Sequence, residues 1–390
     1  MRRIVFFNIP AHGHTNPTLP VVRALTDMGH EVVYYSFGDF RASIEAAGAR
    51  FMGCDGFDAG DADGSRVAND ILASTALIAR VTLAMDEAVT RDLRALEPDV
   101  IVADSVAFWG KLFAQKLGIP YVCSNTTFAF NKESAKVMGT PLGELLASLI
   151  KLPLTGRLLK PLRDRGYPAK NGLSIVQNDE DTPTVVYTSK LFQPCAETFP
   201  DGFSFVGPCL RPSDGVVEKS GRPMVYVSVG TVLGGQGDFF RNCVRAFDDG
   251  RYDVTLSVGA GTDIAALGTL PENIHAYPRV DQLAVLRAAD VFVTHCGMNS
   301  ASEGLWFGVP LVTRPLTREE TGVANRVEAL GAGLRLEGDD PENIRRAVDA
   351  ALTDPRYREG AKRIGDSFRA CGGADAAARA ILRVAGARDQ

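Results

Sequence analysis

Short runs of consecutive apolar residues alternate along this chain with longer segments in which apolar positions recur every three or four residues. The first run, Ile4 to Ile9, ends at Pro10. Asn16 then offers an N-cap with Pro17 at the first helical position, and Leu19, Val22, Leu25 and Met28 follow at helical spacing until Gly29 stops the helix. Val32 to Tyr35 reads as the next strand, and similar runs stand at Val100 to Ala103, Tyr121 to Ser124 and Thr184 to Tyr187. Strands alternating with helices are the signature of βαβ units and a mostly parallel sheet.

The alternation stops at Gly207-Pro208 and does not resume until Gly221-Arg222-Pro223; the stretch between is rich in Gly, Pro, Ser and charge, as a linker is. A second series follows, with strands at Met224 to Val229, Val254 to Val258, Ile274 to Tyr277, Val291 to Thr294 and Pro310 to Thr313. The alanine-rich Ala374 to Val384 predicts a closing helix. The expected organisation is therefore an α/β domain over 1–207, a linker over 208–223, a second α/β domain over 224–372 and a terminal helix over 373–390. Two doubly wound domains in tandem predict a site in a cleft between them, at the carboxyl ends of both sheets.

With 390 residues the chain exceeds what one hydrophobic core supports, and 45% apolar with 23% charged residues is ordinary globular composition. The net charge of -5 argues against nucleic acid as a partner. No apolar stretch reaches the roughly 20 residues of a membrane span. Seven scattered cysteines, never spaced Cys-x-x-Cys, predict neither a disulfide framework nor a zinc site and fit a reducing cytoplasm. Segment 131–172 interrupts the pattern with Lys, Arg and loosely spaced Leu, and reads first as a solvated amphipathic insertion, with membrane-surface or acceptor-channel roles as alternatives. Asp55, Asp58, Asp61 and Asp63, and Asp179-Glu180-Asp181, contain the Asp-x-Asp spacing some transferases use for Mg²⁺ or Mn²⁺. Neither follows a buried strand, so both read as turn chemistry and no metal is expected.

Chemistry concentrates at strand ends. In Val291 to Gly304 a buried strand delivers His295 to the sheet edge, and Gly297 lets the chain turn into a helix whose positive end makes an anion site, with phosphate the expected anion. Glu303, a helical turn on, is placed to accept from two ribose hydroxyls; Ser300-x-x-Glu303 is equally a capping box, and both readings stand. Ser228-Val229-Gly230-Thr231, with Gly234, Gly235 and Gly237, puts a second flexible loop at the end of the second domain's first strand, while the dinucleotide fingerprint Gly-x-Gly-x-x-Gly is absent. In the first domain His14 lies just beyond the first strand and Asp104 at the end of a later one, so both reach one sheet edge and read as a general base with the carboxylate that orients it.

These motifs resemble the family 1 nucleotide-sugar glycosyltransferases of GT-B fold, in the bacterial macrolide-glycosyltransferase-like branch. The resemblance runs from Pro10-x-x-Gly13-His14-x-Asn16-Pro17, through Val186-Tyr187-Thr188-Ser189 and Phe205-Val206-Gly207-Pro208, to a donor signature between Arg279 and Ala324. It implies two Rossmann-like domains facing across a cleft, His14 deprotonating the acceptor hydroxyl and Asp104 supporting it. It further implies that His295, Gly297, Met298, Asn299 and Ser300, with the Ser228-Gly230-Thr231 loop, hold the diphosphate. Glu303 would take the ribose, while Val280 and Gln282 bracket base and ribose. Two positions depart from the pattern: Arg279 stands where relatives stack an aromatic ring on the base, and Glu320 follows Glu319 where relatives carry a glutamine to grip the sugar. The function so implied is inverting transfer, without a metal cofactor, from a UDP- or TDP-sugar to a hydroxyl of a hydrophobic small molecule, by a monomer or homodimer. A GT-B relative that binds or epimerises nucleotide sugars without transfer is the alternative.

Overall fold

The computed structural model describes residues 1–54, 70–137, 142–178, 181–230 and 235–387. Thr231 and Gly234, the loop carrying Asp55, Asp58, Asp61 and Asp63, and Asp179 with Glu180 lie outside the described residues. The chain separates into two compact units, 1–211 with 371–390, and 212–370.

The first unit is built on a parallel sheet ordered β3-β2-β1-β4-β5-β6-β7, with β1 Arg3–Phe7, β2 Glu31–Ser36, β3 Arg50–Gly53, β4 Val100–Asp104, β5 Tyr121–Asn125, β6 Thr184–Val186 and β7 Phe203–Phe205. Its central strands are apolar at successive positions because both faces are covered. Ile4, Phe6, Val32 and Tyr34 meet helices Leu19–Asp27 and Gly373–Gly386, while Val5, Phe7, Val33 and Tyr35 meet Ile71–Leu96 and Phe108–Leu117. The terminal helix thus contributes Ala377, Ala378 and Ile381 to the first unit's core.

The second unit repeats the plan in the order β10-β9-β8-β11-β12-β13, again all parallel, with β8 Met224–Ser228, β9 Asp253–Ser257, β10 Ile274–Tyr277, β11 Val291–Thr294, β12 Leu311–Thr313 and β13 Gly333–Arg335. Val225, Val227, Val254, Val291 and Val293 pack with helices Gly237–Ala246 and Pro341–Thr353. Strand order reverses between β1 and β4 in one sheet and between β8 and β11 in the other, which is where doubly wound sheets place their ligands.

Three sequence expectations change. The helix expected from Asn16 and Pro17 begins at Leu19 with Thr18 as N-cap, because His12–Thr15 forms its own helical turn and Asn16 closes it. Segment 131–172 is an amphipathic insertion that is less solvated than expected: it folds into helices Lys132–Val137, Leu142–Leu158 and Lys160–Asp164, and while Ile150, Leu154 and Leu158 stay exposed, Leu159, Leu162, Tyr167 and Ala169 join the core under Ile71–Leu96. The turn before helix Met298–Trp306 is made by Cys296, whose φ is +67°, and not by Gly297, whose φ is -60°.

Candidate active site

The register pairs Phe7 of β1 with Ala103 of β4, so the chain leaves β1 beside the residue that ends β4, Asp104. His14 sits on the single helical turn that follows, and its Nδ1 lies 2.9 Å from Asp104 Oδ2. The carboxylate is wholly buried and the imidazole 21% exposed. Asp104 Oδ1 accepts from the Val106 N–H at 3.0 Å, which fixes the carboxylate. Thr126, just past β5, adds its hydroxyl 3.0 Å from the same Nδ1. The turn itself is braced from beneath: buried Asn8 donates to the His14 carbonyl at 3.0 Å and lies 2.8 Å from the Tyr34 hydroxyl, which meets Thr18 at 2.7 Å. Asn8, Thr18, Tyr34 and Thr126 carry no motif in the sequence; their contacts depend on strand neighbours that only the fold supplies. His12, two residues from His14, packs edge-on against Phe40 instead.

In the second unit Thr294 pairs with Ser228, and His295 continues from that point. Gly230 and Gly297 close around its ring. A Cβ at Gly297 would lie 2.7 Å from His295 Nε2, and one at Gly230, where φ is +82°, 3.0 Å from it. These two glycines are therefore required by the approach of backbone to imidazole. His295 Nδ1 is buried and makes no hydrogen bond of ordinary geometry. Burial pushes the His295 pKa below 6.5, against the opposing pull of the Glu320 carboxylate and the Ser228 carbonyl. The nine-residue helix Met298–Trp306 starts at Gly297 with no side-chain cap, leaving its first N–H groups and positive dipole end beside the ring. Met298 is buried, its sulfur 3.7 Å from the Ser302 hydroxyl, so the backbone is what it offers at that end. Asn299 and Ser300 are partly exposed in the first turn.

The capping-box alternative for Ser300 and Glu303 does not form, since the N-cap is Gly297. Glu303, 8% exposed, instead accepts from Gln282 Nε2 at 2.6 Å, and Gln282 Oε1 accepts from the Tyr226 hydroxyl at 3.0 Å. Gln282 opens helix Gln282–Ala288, whose N-cap is Asp281. Val280 is partly buried and Arg279 exposed beyond the end of β10.

The capping box stands elsewhere, at Thr317 and Glu320. The Thr317 hydroxyl accepts from the Glu320 N–H at 3.3 Å, and Glu320 Oε2 accepts from the N–H groups of Leu316 at 2.7 Å and Thr317 at 2.9 Å. Glu320 thus has a structural duty in opening helix Arg318–Ala329, and Thr317-x-x-Glu320 was the sequence signal for it. Glu319 is exposed on the same first turn. Among the described residues no three His, Cys, Asp or Glu side chains are grouped for a metal, and no helix is long and apolar enough to cross a membrane.

Residues 249–373 match the family described as erythromycin biosynthesis protein CIII-like, C-terminal domain. Over its whole length the chain is similar to curated glycosyltransferases. It is 32% identical to the NDP-glycosyltransferase YjiC of Bacillus licheniformis, covering 97% of each chain. It is also 32% identical to the demethyllactenocin mycarosyltransferase of Streptomyces fradiae, covering 98% of this chain and 86% of that one. Among solved structures, the glycotransferase of kitacinnamycin superposes with a TM-score of 0.83 at 28% identity, covering 98% of each chain. With two parallel α/β units, strand-end sites at both switch points and this similarity along its length, the chain belongs to the family 1 nucleotide-sugar glycosyltransferases of GT-B fold.

Proposed function

We propose that this glycosyltransferase moves a sugar from a UDP- or TDP-sugar to a hydroxyl of a hydrophobic natural product, with inversion at the anomeric carbon. The observation that carries the proposal is the 2.9 Å bond between His14 Nδ1 and a wholly buried Asp104. With Nδ1 given to the carboxylate, Nε2 takes the acceptor proton, and Asp104 stabilises the imidazolium that forms. The donor is assigned to the second unit. The diphosphate lies at the N-terminus of helix Met298–Trp306, received by the N–H groups of Met298, Asn299 and Ser300 with His295 and the segment Ser228-Val229-Gly230 beside it, and charge on the departing diphosphate is stabilised there. Glu303 holds the ribose, Val280 and Arg279 flank the base, and Glu319 with Glu320 faces the sugar. Two acidic side chains on one helical turn favour neutral hexoses, deoxysugars or amino sugars and oppose UDP-glucuronate. The names of the relatives, a demethyllactenocin mycarosyltransferase among them, support an acceptor of the natural-product class.

The test is nucleotide release from UDP- and TDP-sugars with and without a panel of phenolic and macrolide acceptors, products being read by mass spectrometry. His14→Ala is expected to lose at least about a hundredfold in transfer to alcohols while donor affinity stays within a few-fold. Near-normal turnover removes His14 from the mechanism, and interconversion of donors without transfer to any acceptor replaces the proposal with an epimerase.

A further inference from the structure

Glu303 is held by a chain of two hydrogen bonds whose direction is fixed by chemistry. An ionised carboxylate can only accept, so the Gln282 amide must turn its nitrogen toward Glu303 Oε2, 2.6 Å away. The amide oxygen is then forced toward Tyr226, whose hydroxyl is 3.0 Å from Oε1 and must donate. Tyr226 is 1% exposed in the middle of β8, and its ring stacks on Phe292 of β11 with centroids 4.8 Å apart. The hydroxyl therefore projects from a position set by two strands of the sheet.

We propose that Tyr226 is a positioning residue for nucleoside recognition: through Gln282 it aims the Glu303 carboxylate so that both of its oxygens can serve a vicinal diol, and so it sets the preference for a ribose over a 2′-deoxyribose donor. The proposal rests on the reading that Glu303 takes the sugar of the nucleoside, and it narrows the donor from UDP or TDP to UDP, because thymidine diphosphate is itself a 2′-deoxyribonucleotide without the vicinal diol. Its added content is that the orientation is imposed from the sheet, two residues behind the ligand. Without the hydroxyl, the amide oxygen loses its donor. The amide can then rotate to seek one, and its nitrogen no longer holds the carboxylate in a single orientation. A single hydroxyl can still be met by a misaimed carboxylate; two adjacent hydroxyls cannot. The defect should fall mainly on ligands that present both.

Calorimetric titration of UDP and 2′-deoxy-UDP into the full-length protein, Tyr226→Phe and Glu303→Gln tests this. Phenylalanine keeps the ring and its stacking, and melting temperature reports whether the sheet is intact. The unmodified protein is expected to favour UDP. Tyr226→Phe should weaken UDP by about threefold to tenfold, the loss of one hydrogen bond, and 2′-deoxy-UDP by distinctly less, narrowing the preference. Equal weakening of both nucleotides, or no change in either, overturns the role of Tyr226. Retained preference in Tyr226→Phe alongside its loss in Glu303→Gln overturns Tyr226 alone. If the unmodified protein binds the two nucleotides equally, or Glu303→Gln leaves the preference intact, the ribose reading of Glu303 falls, and this inference with it.

Discussion

His14 follows β1 and His295 follows β11, each at the point where the strand order of its own sheet reverses, yet the two imidazoles are held in opposite ways. His14 has a buried carboxylate and a threonine hydroxyl at Nδ1 and leaves about a fifth of its side chain exposed. His295 has a buried Nδ1 without an ordinary hydrogen bond, and two glycine backbones pressed against Nε2. A carboxylate behind a ring favours its cationic form; burial beside backbone favours the neutral one. One fold position, used twice, therefore yields a group suited to taking a proton and a group suited to lying against an anion.

The largest expected effect from breaking this contrast is in the first unit. Asp104→Asn keeps the shape but withdraws the charge and the acceptor that hold the His14 tautomer, and transfer to an alcohol should fall by about two to four orders of magnitude, measured as initial rate with saturating donor. Donor affinity, read by titration, should be unaffected. In the second unit, Gly297→Ala places a methyl within 2.7 Å of His295 Nε2 and must push the ring aside. UDP affinity should weaken on the order of tenfold with the rate from the residual complex less affected, whereas a role for Gly297 in the turn alone predicts unchanged affinity.

The protonation states sharpen the comparison further. Because the His295 pKa lies below 6.5 in the folded protein and near 6.5 when unfolded, the unfolded chain binds more protons as pH falls, and this group's contribution to stability is lost below about pH 6.5. A diphosphate beside the ring favours the cation, so binding should take up a proton, and affinity should rise as pH falls through that window. Titrations in buffers of different ionisation enthalpy should show uptake that is smaller in His295→Gln, the difference excluding the nucleotide's own ionisation. The smallest effect is structural. Thr317→Ala should cost about 1 kcal/mol in a denaturation experiment, while Ser300→Ala should cost almost nothing, since Thr317 caps a helix and Ser300 does not.

The central strands were legible because a parallel strand covered on both faces must be apolar at consecutive positions, as in β1, β2, β4, β8 and β11. β3, β7 and β13 were not; each is an edge strand of three or four residues, and Arg50, Ser204 and Arg335 break the apolar run. The joining of His14 to Asp104 was anticipated from strand ends alone, since topology brings those ends together. Gln282 was expected to bracket the base and ribose, and its bonds to Glu303 and Tyr226 were invisible, being set by side-chain directions across three elements. Ser300-x-x-Glu303 and Thr317-x-x-Glu320 offered the same capping pattern in the sequence. Only the one where the chain arrives extended, at Thr317 with φ -121° and ψ 170°, became a capping box carried by a side chain. The other lies inside a helix that had already begun at Met298.

The last helix, Gly373–Gly386, closes the core of the unit in which the chain began, so unit 212–370 is a passenger inserted into the fold of the first. Anyone wishing to graft that unit onto a relative's first unit must therefore make two junctions, near 211 and near 371. A chimera joined only at the first carries the wrong Ala377, Ala378 and Ile381 against Val21, Val22 and Leu25, and mismatched packing there would be mistaken for incompatible catalysis.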